Sequence, residues 1–126
     1  MPFFADMGRF KYNRPITLDQ LTAKGATMIE HLVLFKLKAG TTPAQIETLI
    51  AALLQMGDQI PGILDISAGV NNSPEGKNQG FDFGLLVQFE DAAARDGYLP
   101  HPVHRQVGAD HIRPLVDDVL VLDFER

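Results

Sequence analysis

The chain has 126 residues, 45% hydrophobic and 21% charged, which suits one globular domain of about 100 to 200 residues and leaves no room for a second. Eleven Lys and Arg against sixteen Asp and Glu give a net charge of -5, and the basic residues are scattered, so the positive footprint that nucleic acid needs is not expected. The absence of cysteine excludes thiol catalysis, iron–sulfur clusters and cysteine-bearing zinc sites. Leu49 to Leu54 is the longest apolar run, far short of the roughly 20 residues that cross a bilayer. The first residues also lack the apolar stretch of about 7 to 15 that a secretory signal carries. A cytoplasmic protein without a membrane partner is therefore expected.

Residues 1–27 set aromatics among Pro, Gly and charges with little periodicity, and read as an N-terminal extension. Within it, Thr17-Leu18-Asp19-Gln20 has the spacing of a capping box and Gly25 can close a short helix; a flexible arm before a second initiator at Met28 is the competing reading. The domain proper is expected over 28–126. Glu30 to Lys38 is short and rich in strand formers. Alternation places His31, Val33, Phe35 and Leu37 on one side and Leu32 and Leu34 on the other, so both faces are apolar.

After Ala39-Gly40, Thr42-Pro43-Ala44-Gln45 combines an N-cap, Pro at the first helical position and Gln at the capping-box position. Ile46, Leu49, Ile50, Leu53, Met56 and Ile60 then recur at helical spacing up to Pro61-Gly62. Ile63 to Asn71 alternates as a second strand and runs into a turn-rich loop over 71–80. Phe81 to Phe89 alternates as a third strand, with Phe81, Phe83, Leu85, Val87 and Phe89 on one face. Ala92 to Ala94 favour a short helix before Gly97, Pro102 opens another that ends before Pro114, and Val116 to Glu125 supplies a last strand.

This order is the split βαβ arrangement of ferredoxin-like α+β domains: a four-stranded antiparallel sheet with helices on one face. The strands are apolar on both faces, so the helix-free face needs a cover. We assign to that face Val33, Phe35, Leu37, Phe83, Leu85, Val87 and Phe89, a patch larger than the few hundred Å² that soluble monomers tolerate. A homodimer packed sheet against sheet is expected.

The segments His31-Leu-Val-Leu-Phe-Lys-Leu-Lys, Ile60-Pro61-Gly62-Ile63, Gly69-Val-Asn-Asn-Ser, Phe89-Glu-Asp, Tyr98-Leu-Pro-His101-Pro-Val-His104 and Asp123-Phe124-Glu125 together resemble the stress-responsive dimeric α/β-barrel (Dabb) domain. The resemblance covers about residues 28 to 126, and its most specific part is the Tyr-x-x-His-Pro-x-His segment. It implies a ferredoxin-like protomer whose sheet joins that of a second copy in one barrel around a cavity. The family holds stress-induced proteins without an assigned reaction and a plant cyclase that closes a ring on a linear polyketide by an aldol-type step. The resemblance implies that Tyr98 and His104 act on substrate and that His31 lines the same cavity. Where the cyclase has another cavity His in its third strand, this chain has Phe83, which argues against the same substrate.

The residue chemistry allows a catalytic reading. An imidazole with a pKa of about 6.5, such as His104, can take a proton from a carbon flanked by carbonyls while the phenol of Tyr98 donates to the developing enolate. In the competing reading, Tyr98, His101 and His104 only fasten the broken second helix to the sheet, and His31 is a satisfied interior histidine. A metal site from His101 and His104, with His31 and His111, has weak support because Pro102 inside the pair is explained by helix initiation. No motif marks a haem ligand, and Gly69, Gly76 and Gly80 have the wrong spacing for a phosphate loop. No cofactor is expected. The candidate catalytic residues are His104, Tyr98 and His31. Val33, Phe35, Phe83, Leu85 and His101 are the candidate ligand contacts for a small apolar or aromatic compound. Three functions stand open: a homodimeric binding protein without an assigned reaction, a cyclase- or lyase-type enzyme, and a stability module whose cavity is filled by its own side chains.

Overall fold

The structure, a computed structural model, describes residues 27–126. The expected extension helix between Thr17 and Gly25 lies outside the described residues. In chain order the elements are β1 (Ile29–Leu37), α1 (Pro43–Gln59), β2 (Ile63–Val70), β3 (Phe83–Phe89), α2 (Ala92–Tyr98), α3 (Pro102–Val107), a π-helical segment (Gly108–Ile112) and β4 (Val116–Glu125). The sheet order is β2-β3-β1-β4, with each paired neighbour antiparallel. This is the ferredoxin-like α+β arrangement that the element order implies.

Local chemistry sets the ends of the elements. Thr42 and Gln45 form a reciprocal capping box: the Gln45 N–H donates to Thr42 Oγ1 at 3.2 Å and the Thr42 N–H donates to Gln45 Oε1 at 2.8 Å. The apolar stripe of α1 is buried at Leu49, Ile50, Leu53 and Met56. Asp91 caps α2 by accepting the Ala94 N–H at 2.8 Å. Gly97 does not end that helix but lies within it, and Pro100 follows the last turn. After α3 the backbone widens: the Arg113 N–H donates to Gly108 O at 2.9 Å, an i→i+5 bond.

The side of the sheet on which the helices sit corrects one expectation. His31, Val33, Phe35, Phe83, Leu85, Val87 and Phe89 do not form a bare face; they are buried in one core with Leu49, Ile50, Leu53 and Met56 of α1. Register pairs Leu32 with Leu86 and Leu122, and Leu34 with Gly84 and Leu120, so the helix-free face carries Leu32, Leu34, Leu86, Leu120, Leu122 and Phe124. The β4 members of this set are widely exposed, Leu120 by 52%, Leu122 by 60% and Phe124 by 50%. Alternation separates two faces but carries no sign of which one the helices cover. When both are apolar, the crossover connections decide. Among the described residues, no helix is long and apolar enough to cross a membrane.

Candidate functional site

Three elements bring His31, Tyr98 and His104 to one place. Strand alternation turns His31 of β1 towards the helices, where it is 4% exposed. Tyr98 closes α2 and is almost fully buried, with its ring edge-on to Phe89 at 4.9 Å and to His31 at 5.6 Å between centroids. His104, in the first turn of α3, has its ring centroid 4.3 Å from that of Tyr98. The tyrosine thus stands between the two imidazoles, and the pieces of the broken helix are what bring the second of them there.

Hydrogen bonds at Nδ1 set the form of each imidazole. His104 Nδ1 is 2.9 Å from Leu99 O. A carbonyl only accepts, so Nδ1 carries the proton and the lone pair is on Nε2. Burial lowers the His104 pKa below 6.5, against the opposing pull of the Leu99 carbonyl, and the neighbouring His31 and His101 lower it further. His104 is therefore neutral at neutral pH and has the protonation state of a base. Burial, aided by the Asp123 carboxylate, pushes the Tyr98 pKa well above its usual 10, so the phenol keeps its proton and remains a donor. His31 Nδ1 is 2.7 Å from Asp123 Oδ1, and the other oxygen of Asp123 accepts from Arg95 Nη1 at 3.0 Å.

Beside this trio lies a cavity of about 290 Å³ between sheet and helices. His31, Tyr98 and His104 supply its polar side chains, and the wall is otherwise apolar: Val33, Phe35 and Leu85 from the sheet, Leu53 and Met56 from α1, Val107 and Ile112 beyond α3, and Val119 and Val121 from β4. Among the described residues, no Lys, Arg, Asp or Glu lines it. Leu99, His104, Gly108 and Ile112 also border a groove of about 760 Å³ that Arg105 and Arg113 flank.

Most of the candidate residues therefore meet. His104, Tyr98, His31, Val33, Phe35 and Leu85 share the cavity, whereas Phe83 and His101 do not line it. Phe83 packs against Phe35 at 5.8 Å and borders a separate recess of about 430 Å³ with Leu34, Gly69, Gly84 and Lys77. His101 caps α3, its Nδ1 accepting the Val103 N–H at 3.1 Å. The register of the residue before Pro102 makes it a cap and turns it to the helix backbone. The cavity also lies under the helices of one protomer, not between two sheets. Among the described residues, no three His, Asp or Glu side chains are grouped to hold a metal ion. Sequence reasoning missed Asp123 and Arg95. Asp123 shares its face of β4 with Val119 and Val121, but its pairing with His31 depends on a register between strands at opposite ends of the domain.

Comparison with known proteins agrees with this fold. The chain is 27% identical over 96 residues to olivetolic acid cyclase of Cannabis sativa, covering 76% of this chain and 94% of the cyclase. It is 30% identical over 103 residues to the stress-response A/B barrel domain-containing protein HS1 of Arabidopsis thaliana, covering 82% of this chain and 92% of that protein. Among solved structures, an Arabidopsis thaliana protein superposes with a TM-score of 0.73 at 28% identity, over 78% of this chain and 94% of that one. A dimeric ferredoxin-like protein of unknown function from Jannaschia sp. CCS1 gives 0.68 at 28% identity, over 79% and 99%. Hydroxynitrile lyase from Passiflora edulis shares the fold, with a TM-score of 0.70 at 20% identity over 79% and 93%. The profile of the stress-responsive A/B barrel domain matches residues 29–126, nearly all of the described chain. The protein belongs to the stress-responsive A/B barrel domain family.

Proposed function

We propose that this protein is a homodimer that binds a small, uncharged apolar or aromatic compound bearing a carbonyl or hydroxyl group. The observation that carries the reading is the cavity: an apolar wall on which one phenol and two imidazoles converge and, among the described residues, no charged side chain intrudes. Few polar groups in an apolar recess is how small-molecule sites are commonly built, and its volume is near the lower end of the usual ~300 to 1,000 Å³. An empty space beside the trio also argues against a module whose interior is filled by its own side chains. The second copy covers the leucine-rich face of the sheet, in keeping with the dimeric relative of the same fold.

One observation favours a further, enzymatic reading. Because Leu99 holds the Nδ1 proton of His104, the lone pair of Nε2 is available to a C–H proton beside a carbonyl, and Tyr98 supplies a donor for the enolate oxygen. Similarity to a cyclase supports this chemistry as the class to test, an aldol-type closure or a related lyase step.

The test is a thermal shift with nonane-2,4-dione and benzaldehyde as probes. A ligand that binds only the folded form at about 100 times its Kd adds about 2.7 kcal/mol of stability and raises Tm by several degrees. The wild type should shift. Tyr98→Phe and His104→Ala should lose most of the shift, because each removes a polar contact while leaving the apolar wall. Equal shifts in all three proteins, or none in the wild type across such carbonyl compounds, would refute the assignment.

A further inference from the structure

The Asp123 carboxylate faces two cations or donors from two different elements. Its Oδ1 meets His31 Nδ1 of β1 at 2.7 Å, and its Oδ2 meets Arg95 Nη1 of α2 at 3.0 Å. Arg95 also donates from Nε to Asp96 Oδ1 at 2.9 Å. The result is a continuous chain, Asp96 to Arg95 to Asp123 to His31, running from a mostly exposed carboxylate on α2 to the wall of the cavity. Each link is a charge-assisted bond; the two at Asp123 join different elements, β4 to β1 and β4 to α2, and both oxygens of Asp123 are engaged.

Geometry makes this chain more than a surface ion pair. An exposed pair is worth little to stability, but the far end of this one is a buried imidazole beside Tyr98 and His104. A carboxylate with one oxygen anchored by a guanidinium cannot turn its other oxygen away from His31 without breaking that anchor. The His31 ring is then held with its Nδ1 proton towards β4, which in a neutral imidazole puts the lone pair on Nε2. Tyr98 packs edge-on to the ring with His104 beyond it, and neither is hydrogen-bonded to His31 Nδ1.

We propose that Arg95 is a positioning residue: by gripping Asp123 it selects the Nδ1–H form of His31, so that the cavity presents two imidazoles whose lone pairs are both on Nε2, together with one phenolic donor. This refines the binding reading above and rests on it for its functional consequence. A cavity with two fixed acceptors and one donor suits a ligand carrying hydroxyl or enol protons as well as a carbonyl oxygen, and disfavours an anion.

The experiment is long-range ¹H–¹⁵N NMR of the imidazoles in the full chain without ligand, at about pH 8, above the ordinary imidazole pKa of about 6.5. In the wild type, the His31 Nδ1 should show the shift of a protonated nitrogen and Nε2 that of an unprotonated one. Arg95→Gln should bring the Nε2–H form up to an amount comparable with the Nδ1–H form. Arg95→Lys should lie between wild type and Arg95→Gln, since it restores the charge without the planar fork. Asp96→Ala, which leaves the Arg95–Asp123 bond in place, should match the wild type. An Arg95→Gln spectrum identical to wild type, a lysine variant no different from the glutamine one, or an equal change in Asp96→Ala would each overturn the assignment. The outcomes separate from those of the binding test. If nonane-2,4-dione shifts the wild-type Tm but the His31 form ignores Arg95, only this proposal fails; if the form depends on Arg95 but no carbonyl probe binds, only the binding reading fails.

Discussion

His104 donates its Nδ1 proton to a backbone carbonyl that can return none, in a setting where burial disfavours the imidazolium. The linkage has a definite sign. The folded-state pKa is below the unfolded value of about 6.5, so between the two the unfolded chain binds more protons, and stability rises with pH across that window. The contribution is full above about pH 6.5 and is lost as pH falls through the depressed folded value. His104→Gln should remove this part of the pH dependence, which denaturant titrations of both proteins between about pH 5 and 8 would reveal as a smaller loss of stability in acid for the variant. Tyr98 and His104 could be singled out in sequence because they share one short segment with a distinctive spacing. His101 in the same segment was legible as chemistry but not as position: only its place before Pro102 makes it a cap. Asp123 and Arg95 gave no such signal, because neither is near His31 in the chain.

At the scale of elements, the junction between α1 and β2 passes close against α2. Gly62 has φ of +87°, and a Cβ built on it would be 2.4 Å from the Cβ of Ala94 on α2. Gly62→Ala combines a left-handed backbone that disfavours side chains with an overpacked contact, and should cost about 2 to 4 kcal/mol, read as a drop in Tm. Ala94→Gly in the same chain should recover the steric share and leave the backbone share, so the two substitutions should be non-additive. The element boundaries were well legible where short-range chemistry sets them: the capping box starts α1, and β4 spans the expected residues. Gly97 was less legible. A glycine weakens a helix without ending it, and the bonds on either side carry α2 through it. The π-helical segment also escaped the pattern, since an i→i+5 turn preserves no apolar period by which it could be recognised.

Among the described residues, one sheet face carries no helix and its leucines point to the surface, where the proposed second copy would pack. Leu122→Asp changes a side chain that is 60% exposed in the single protomer, so the protomer should still fold while the dimer separates, because burying an unpaired charge at an interface is costly. Sedimentation should show a folded monomer. Val87→Asp, by contrast, introduces its charge into a fully buried site and should unfold the protein, visible by circular dichroism. A Leu122→Asp protein that sediments as the wild-type dimer would place the interface elsewhere. The ferredoxin-like order, the two apolar faces of the sheet, the capped first helix and the Tyr98–His104 segment were determined by the sequence alone, because each depends on residues within a few positions of one another. Which face the helices cover, the pairing of His31 with Asp123, the grip of Arg95 and the space left beside Tyr98 were decided only by tertiary structure. They depend on strand register and on the direction of the crossovers, contacts between distant parts of the chain that no local period records.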